Sequence, residues 1–122
     1  MNEKPFGRKD ELSERLLGFT VRIIKLVDAL PKTSVGRHLA TQLLSSGTSP
    51  GANYEEACGA ESRADFVHKL GIVLKELKES RFWLRVVQQT ELLPPPRVEP
   101  LLKECEELCK IIAQSVITAK KK

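Results

Sequence analysis

Residues 62–91, SRADFVHKLGIVLKELKESRFWLRVVQQTE, place the tightest constraint on any fold this chain can adopt. Phe66, Leu70, Val73, Leu77, Ser80, Leu84 and Val87 follow one another at alternating steps of four and three. On an α-helix that spacing keeps one seam on one side, as packing into a bundle or coiled coil requires. At about 1.5 Å per residue, roughly 28 helical residues reach about 42 Å, which is long for a small domain. The last turns differ, because Phe82, Trp83, Leu84, Val86 and Val87 are apolar nearly all the way round. A helix of that kind needs cover on more than one side. One small bundle covers one side, so Phe82, Trp83 and Val86 become candidates for a contact between subunits, where aromatics often carry much of the energy.

The other segments read as partners for this helix. Leu12, Leu16, Phe19, Ile23, Val27 and Leu30 recur on one face of a first helix, about 10–30, widened by Leu17 and Ile24 and stopped by Pro31. Asp10 or Ser13 is placed to cap it. A fourth helix, about 97–119, carries Val98, Leu102, Cys105, Cys109, Ile112, Val116 and Ala119, with Leu101 and Leu108 widening the seam. Pro94, Pro95 and Pro96 read as a stiff extended link before it. Residues 33–58 are ambiguous. Thr33 or Ser34 can cap a helix and Val35, Leu39 and Leu43 begin an apolar face. The stretch from Ser45 to Ala52 contains Gly47, Pro50 and Gly51, however, and reads as a loop or as a kinked, tightly packed helix. Asn53 to Ala57 is helical again, and Gly59 is a C-terminal stop. Ser62 and Asp65 make a capping-box-like pair at the start of the third helix, about 62–91. Four helices with short connections give an all-α, antiparallel up-down-up-down bundle spanning residues 10–119. Residues 1–9 read as a flexible basic arm and 120–122 as a basic tail.

Composition limits the alternatives. One domain is the expectation for 122 residues, and 41% hydrophobic with 30% charged residues describes a globular chain. No apolar run approaches the roughly 20 residues of a membrane span, and Met1 to Asp10 lacks the apolar stretch of a signal peptide. Three cysteines, Cys58, Cys105 and Cys109, form no disulfide framework, which points to a reducing, cytoplasmic setting.

Little here supports catalysis. A di-iron bundle needs Glu-x-x-His pairs on two helices, whereas this chain offers one Asp65-x-x-His68 and His38 as its only other histidine. Cys105 and Cys109 lie on the seam, where free cysteine packs as a small apolar residue. Glu55, Glu56, Glu76 and Glu79 read as members of surface pairs, for instance Lys75 with Glu79. No phosphate loop, dinucleotide fingerprint or nucleophile–base arrangement is visible, so neither enzyme, metal nor cofactor is expected.

Binding has more support. The net charge of +4 favours an anionic partner. Arg15, Arg22 and Lys25 form one strip beside the apolar face of the first helix, and Lys78, Arg81 and Arg85 form another on the third. Rows of this kind suit phosphates and give salt-dependent, sequence-blind affinity. Either strip alone also fits an ordinary solvated helix surface; a symmetric oligomer would multiply the strips into a continuous basic surface. Asn53, Glu56 and Glu76, set among small residues, are candidates for a hydrogen-bonded network between the second and third helices.

The run GTSPGANYEEACGAESRADFVHKLGIVLKELKESRFWLR resembles the signature region of the 23S rRNA intervening-sequence protein family, also called the four-helix bundle protein family. The positions that carry the resemblance are Ser49, Gly51, Ala52, Asn53, Glu56, Ala57, Ser62, Asp65, Phe66, Lys69, Leu70, Lys75, Glu76, Glu79, Trp83 and Leu84. Pro50 departs from it, standing where many members have an aliphatic residue. The resemblance implies a cyclic homopentamer and a mostly helical Ser46 to Ala57. A related branch is similar to the accessory variability proteins of diversity-generating retroelements, basic pentameric barrels that bind nucleic acid and a reverse transcriptase. The Arg81-Phe82-Trp83-Leu84-Arg85 string resembles that branch. The expectation is therefore a non-catalytic oligomer that binds nucleic acid, structured RNA or an RNA–DNA hybrid; the alternatives are a reverse-transcriptase accessory or a structural adaptor for another protein.

Overall fold

The computed structural model describes the backbone of residues 3–121 and the side chains of residues 11–121. Four helices follow one another: α1 (Glu3–Ala29), α2 (Ser34–Cys58), α3 (Arg63–Thr90) and α4 (Pro95–Lys121). Each packs against its two neighbours in a closed square, α1 on α2, α2 on α3, α3 on α4 and α4 on α1. The short connections make successive helices antiparallel.

Local chemistry sets the ends. Thr33 caps α2 by accepting from the Gly36 N–H at 3.1 Å, and Gly59 closes it. Ser62 caps α3 by accepting from the Asp65 N–H at 3.1 Å, one half of a capping box. The C-terminus of α3 turns through Glu91, the one non-glycine residue with positive φ among those described, at 54°. Its N–H bonds the Gln88 carbonyl while Leu92 N–H reaches Val87, a Schellman arrangement. Two boundaries differ from expectation. The helix α4 opens at Pro95 rather than 97, because Pro95 and Pro96 occupy first-turn positions that require no N–H donor, so the prolines begin the helix instead of linking to it. The helix α1 already runs from Glu3, inside the stretch read as an arm, and Lys120 and Lys121 continue α4. Met1, Asn2 and Lys122 lie outside the described residues.

The largest difference concerns α2, which is one continuous helix through Pro50. Its inward face is Gly36, Leu39, Leu43, Ser46, Gly47, Pro50, Tyr54 and Ala57, all buried. The period of a seam is kept, but small residues fill its middle. Their role is steric. A Cβ on Gly51 would meet the Thr20 hydroxyl oxygen at 3.2 Å, and one on Gly47 would lie 2.6–2.9 Å from three carbons of Ile23. The backbones of α1 and α2 approach closely here, and packing overrides the poor intrinsic helix propensity. Val35, expected on the inward face, is 58% exposed.

On α3, Leu70, Val73, Leu77, Ser80, Leu84 and Val87 are buried. They meet Leu16, Phe19, Ile23 and Leu26 of α1, Leu30 just beyond it, and the α4 face from Val98 to Ile112 in one largely aliphatic core. Leu26 belongs to that core, whereas Leu17 and Ile24, expected to widen it, are 56% and 47% exposed. They stand on the flank of α1 that faces outward beside α2. No helix of the described residues is long and apolar enough to cross a membrane.

Candidate nucleic-acid interface

Arg15 is engaged within the bundle. Its guanidinium holds the Glu104 carboxylate of α4 in a two-pronged pair, Nη2 to Oε1 at 2.8 Å and Nε to Oε2 at 3.1 Å. That hydrogen-bonded partner raises the Arg15 pKa further above its ordinary value. The pair also fixes the register between α1 and α4. Arg22 lies two turns beyond Arg15 on the same side of α1, and Arg97 lies two turns before Glu104 on the same side of α4. Because the helices are antiparallel, both displacements run in the same direction. Arg22 and Arg97 therefore face each other across the α1–α4 groove as Arg15 and Glu104 do, but with like charge, and both are exposed. Lys25 is exposed one turn further along α1.

The second strip borders the other side of α4. Lys78 and Arg85 are exposed and Arg81 is half-buried. Hydrogen bonding from Cys105 draws the Cys109 pKa down, and the nearby charges of Arg81 and Lys78 add to it. The topology gathers both strips into one half of the bundle, formed by residues 21–49 and 77–105. That half holds Arg22, Lys25, Lys32, Arg37, Lys78, Arg81, Arg85, Arg97 and Lys103 against Asp28, Glu79, Glu91, Glu99 and Glu104. The opposite half, helix residues 3–20, 50–76 and 106–121 with the turn between α2 and α3, carries ten cations and eleven carboxylates and is close to neutral. Lys32, Arg37 and Arg97 escape a sequence reading because they belong to three segments that only the fold assembles.

The polar residues singled out between α2 and α3 are arranged differently from the expected network. Asn53 donates within its own helix, to the Ser49 carbonyl at 3.1 Å and its hydroxyl at 2.8 Å. Glu56 reaches across to Lys69 of α3 at 2.7 Å, raising the lysine pKa. Glu76 pairs at 3.9 Å with Lys75, the lysine read as a partner of Glu79, while Glu79 accepts from Trp83 Nε1 at 3.4 Å. The buried interhelical polar contact belongs instead to Ser46 and Ser80, both fully buried. Their hydroxyl oxygens are 3.1 Å apart and Ser80 also lies 2.9 Å from the Glu76 carbonyl. With one proton each, Ser80 donates to the carbonyl and accepts from Ser46. A serine on an apolar seam gives no sign in the sequence of having a partner across the helices.

Exposed apolar residues mark two places on the square. Trp83 is half-buried and packs on its own chain, edge-on to His38 of α2 at 6.1 Å. Phe82 leans on it at 5.0 Å yet is 57% exposed; Val86 is half-buried. Phe82 lies beside Trp83 on the outer side of α3, away from the buried seam. On the α1–α2 edge, Leu17, Val21 and Ile24 are 56%, 42% and 47% exposed and Leu44 is 43% exposed. Steps of four and three align the first three. The Ile23–Gly47 and Thr20–Gly51 approaches bring Ile24 beside Leu44. Among the described residues no three histidine, cysteine or carboxylate side chains gather as metal ligands.

The family described as 23S rRNA-intervening sequence protein matches residues 9–114. Among solved structures, the chain is similar to a protein of unknown function from the S23 ribosomal protein family of Bacteroides thetaiotaomicron VPI-5482. The two share 35% sequence identity with a TM-score of 0.81, over 88% of this chain and 96% of that one. No curated protein matches the chain. The match from the first helix to the last, on a fold of four antiparallel helices, makes this chain a member of the 23S rRNA-intervening sequence protein family.

Proposed function

We propose that this protein is a non-catalytic helical bundle that binds structured RNA, or an RNA–DNA hybrid, through the basic half of the bundle, acting in a ring of identical copies. What carries the reading is the placement of Arg22 and Arg97, both exposed, which the α1–α4 register set by the Arg15–Glu104 pair puts on facing sides of one groove. Two exposed guanidinium groups at facing positions repel one another unless an anion joins them, and phosphate fits their planar donors. Lys25, Lys32, Arg37 and Arg85 extend the positive surface around the same end. The aromatic side chains Phe82 and Trp83 pack on each other and on His38, so recognition by shape and backbone charge is favoured over base stacking.

The apolar edges favour the ring. Leu17, Val21, Ile24 and Leu44 lie on the α1–α2 edge, apart from Phe82 on α3, so joining copies through both patches requires two different surfaces to meet. A head-to-tail contact of that kind closes into a ring or grows as a filament, and the pentamer implied by the resemblance is a closed case. The same apolar edge supports a second reading, an adaptor whose partner is a protein such as a reverse transcriptase.

A fluorescently labelled RNA hairpin titrated at two salt concentrations separates the two readings. RNA binding through this surface weakens steeply with salt, with a slope of log K against log salt of about −0.9 per phosphate neutralised on a duplex. Binding that is absent, or indifferent to salt and to reversal of Arg22, Arg85 and Arg97, overturns the RNA reading. Light scattering on the same samples counts the copies.

A further inference from the structure

The end of α2, the turn into α3 and the last turns of α4 border an open cleft of about 430 Å³, within the size range of small-molecule sites. It lies at the end of the bundle away from the surface proposed for RNA. The seams of α2 and α4 run out there in Ala57 and Ala119, and the half-buried ring of Phe66 forms a wall. Two polar groups face this apolar space. Tyr54 is only 6% exposed, and its hydroxyl has the Cys58 thiol one turn away as its companion, a weak hydrogen-bond partner. Burial and that thiol push the phenol's pKa up, so it remains a neutral donor. Arg63 opens α3 at the mouth, exposed, and among the described residues no carboxylate pairs with it.

We propose that the cleft binds a small organic acid with an apolar body, an aryl- or alkyl-carboxylate. Phe66, Ala57 and Ala119 cover its hydrocarbon, and Arg63 and the Tyr54 hydroxyl supply its donors. The lining is too apolar for a free phosphate. A neutral hydrocarbon would leave the guanidinium unused. The carboxylate on a hydrophobic stem satisfies both halves of the site.

Tyr54 is the chain's only tyrosine, so protein carrying 3-fluorotyrosine has a single fluorine NMR resonance, and that resonance reports on the cleft. Titration with 3-phenylpropionate should shift it saturably, with a Kd of about 1 mM or tighter. The matching alcohol, 3-phenyl-1-propanol, should bind at least about tenfold more weakly, since it lacks the charge-assisted bond. Arg63→Gln, a change at an exposed position, should make acid and alcohol equivalent, and Ala119→Leu should fill the cleft and remove the response. The absence of a saturable shift in the native protein, or equal affinity for acid and alcohol, overturns the proposal. So does a resonance that moves with protein concentration alone, because a second copy then occupies the cleft.

Discussion

Gly47 of α2 stands so close to Ile23 of α1 that an added Cβ would sit 2.6 Å from one carbon of the isoleucine and within 2.9 Å of two more. Nothing in that contact can move cheaply, because Ile23 is fully buried and branched at Cβ. Gly47→Ala gains helix propensity, roughly 1 kcal/mol, but forces the two helices apart. Overpacking of a close core contact costs about 1–3 kcal/mol, so the net change is destabilising. Gly71, exposed on α3 with nothing within 4 Å of its would-be Cβ, provides the control. Gly71→Ala should stabilise by about 0.5–1 kcal/mol. Thermal unfolding at one fixed protein concentration should rank Gly71→Ala above the native chain and Gly47→Ala below it; the reverse order would show that α1 and α2 do not meet there.

The Ser46–Ser80 contact is a buried polar pair in an aliphatic core, and its two members should be strongly coupled. Ser80→Ala leaves the Ser46 hydroxyl without its cross-helix partner at a fully buried site, at a cost of about 1–3 kcal/mol. Removing both hydroxyls removes the unsatisfied group as well, so the double alanine variant should be less destabilised than the two single variants sum to. A denaturant-unfolding double-mutant cycle measures this, and additive values would mean that the hydroxyls do not share a bond.

These two contacts explain why α2 is illegible as sequence. The α3 and α4 seams are filled by Leu, Val, Ile and Cys, so periodicity and propensity point the same way and the helices can be read directly. In α2 the core positions from Ser46 to Pro50 are small, since the Ile23 side chain of α1 and the Ser80 hydroxyl of α3 occupy the space a larger side chain would fill. Summed propensity over that window favours a loop, and only the close approach of α1 reverses it. Periodicity also leaves open which flank of a helix its neighbours cover, so Leu17 and Ile24 read as core while Leu26 does not. Among the charged residues, Arg22 and Lys25 are visible as a strip. The meeting of Arg22 with Arg97 depends on the α1–α4 register, which no local pattern encodes.

Glu91 carries backbone strain that glycine would remove. Its φ of 54° lies in the left-handed region, where a side chain costs roughly 1 kcal/mol. The Schellman bonds use only main-chain groups, so Glu91→Gly preserves them. The substitution should stabilise by up to about 1 kcal/mol and raise Tm by about 4 °C. A lower Tm would show that the glutamate side chain contributes more than the strain takes away.

Cys105 and Cys109 titrate as a pair. The Cys109 sulfur and burial raise the Cys105 pKa, and the Cys105 sulfur lies 3.2 Å from the Leu77 carbonyl oxygen. Cys109 is lowered to about 7, first by hydrogen bonding from Cys105 and then by the charges of Arg81 and Lys78. A group that ionises more readily in the folded than in the unfolded chain adds stability as pH rises. The increment is absent below about 7 and complete above the ordinary thiol value of 9.0. Stability should therefore increase between these limits in the native protein, and the increase should be weaker in Cys109→Ser. Equal pH profiles for the two would place the ionising thiol elsewhere.

Arg22→Glu separates binding from folding most sharply, because the same change should affect them in opposite directions. A glutamate at this position faces Arg97 as Glu104 faces Arg15, so it turns a repulsive pair into an attractive one. Exposed pairs contribute about 0.2–1 kcal/mol, less at high salt, so the variant should be at least as stable as the native chain and lose that advantage as salt is added. RNA affinity should fall by roughly tenfold or more, and the salt slope should drop by about one for each phosphate that is no longer neutralised. Arg15→Ala is the complementary case. It breaks the Glu104 pair and should lower stability slightly, while RNA binding changes little because that guanidinium is already engaged. A charge effect from anywhere on the surface would weaken RNA binding alike in both variants, and that outcome would remove the Arg22–Arg97 groove from the interface.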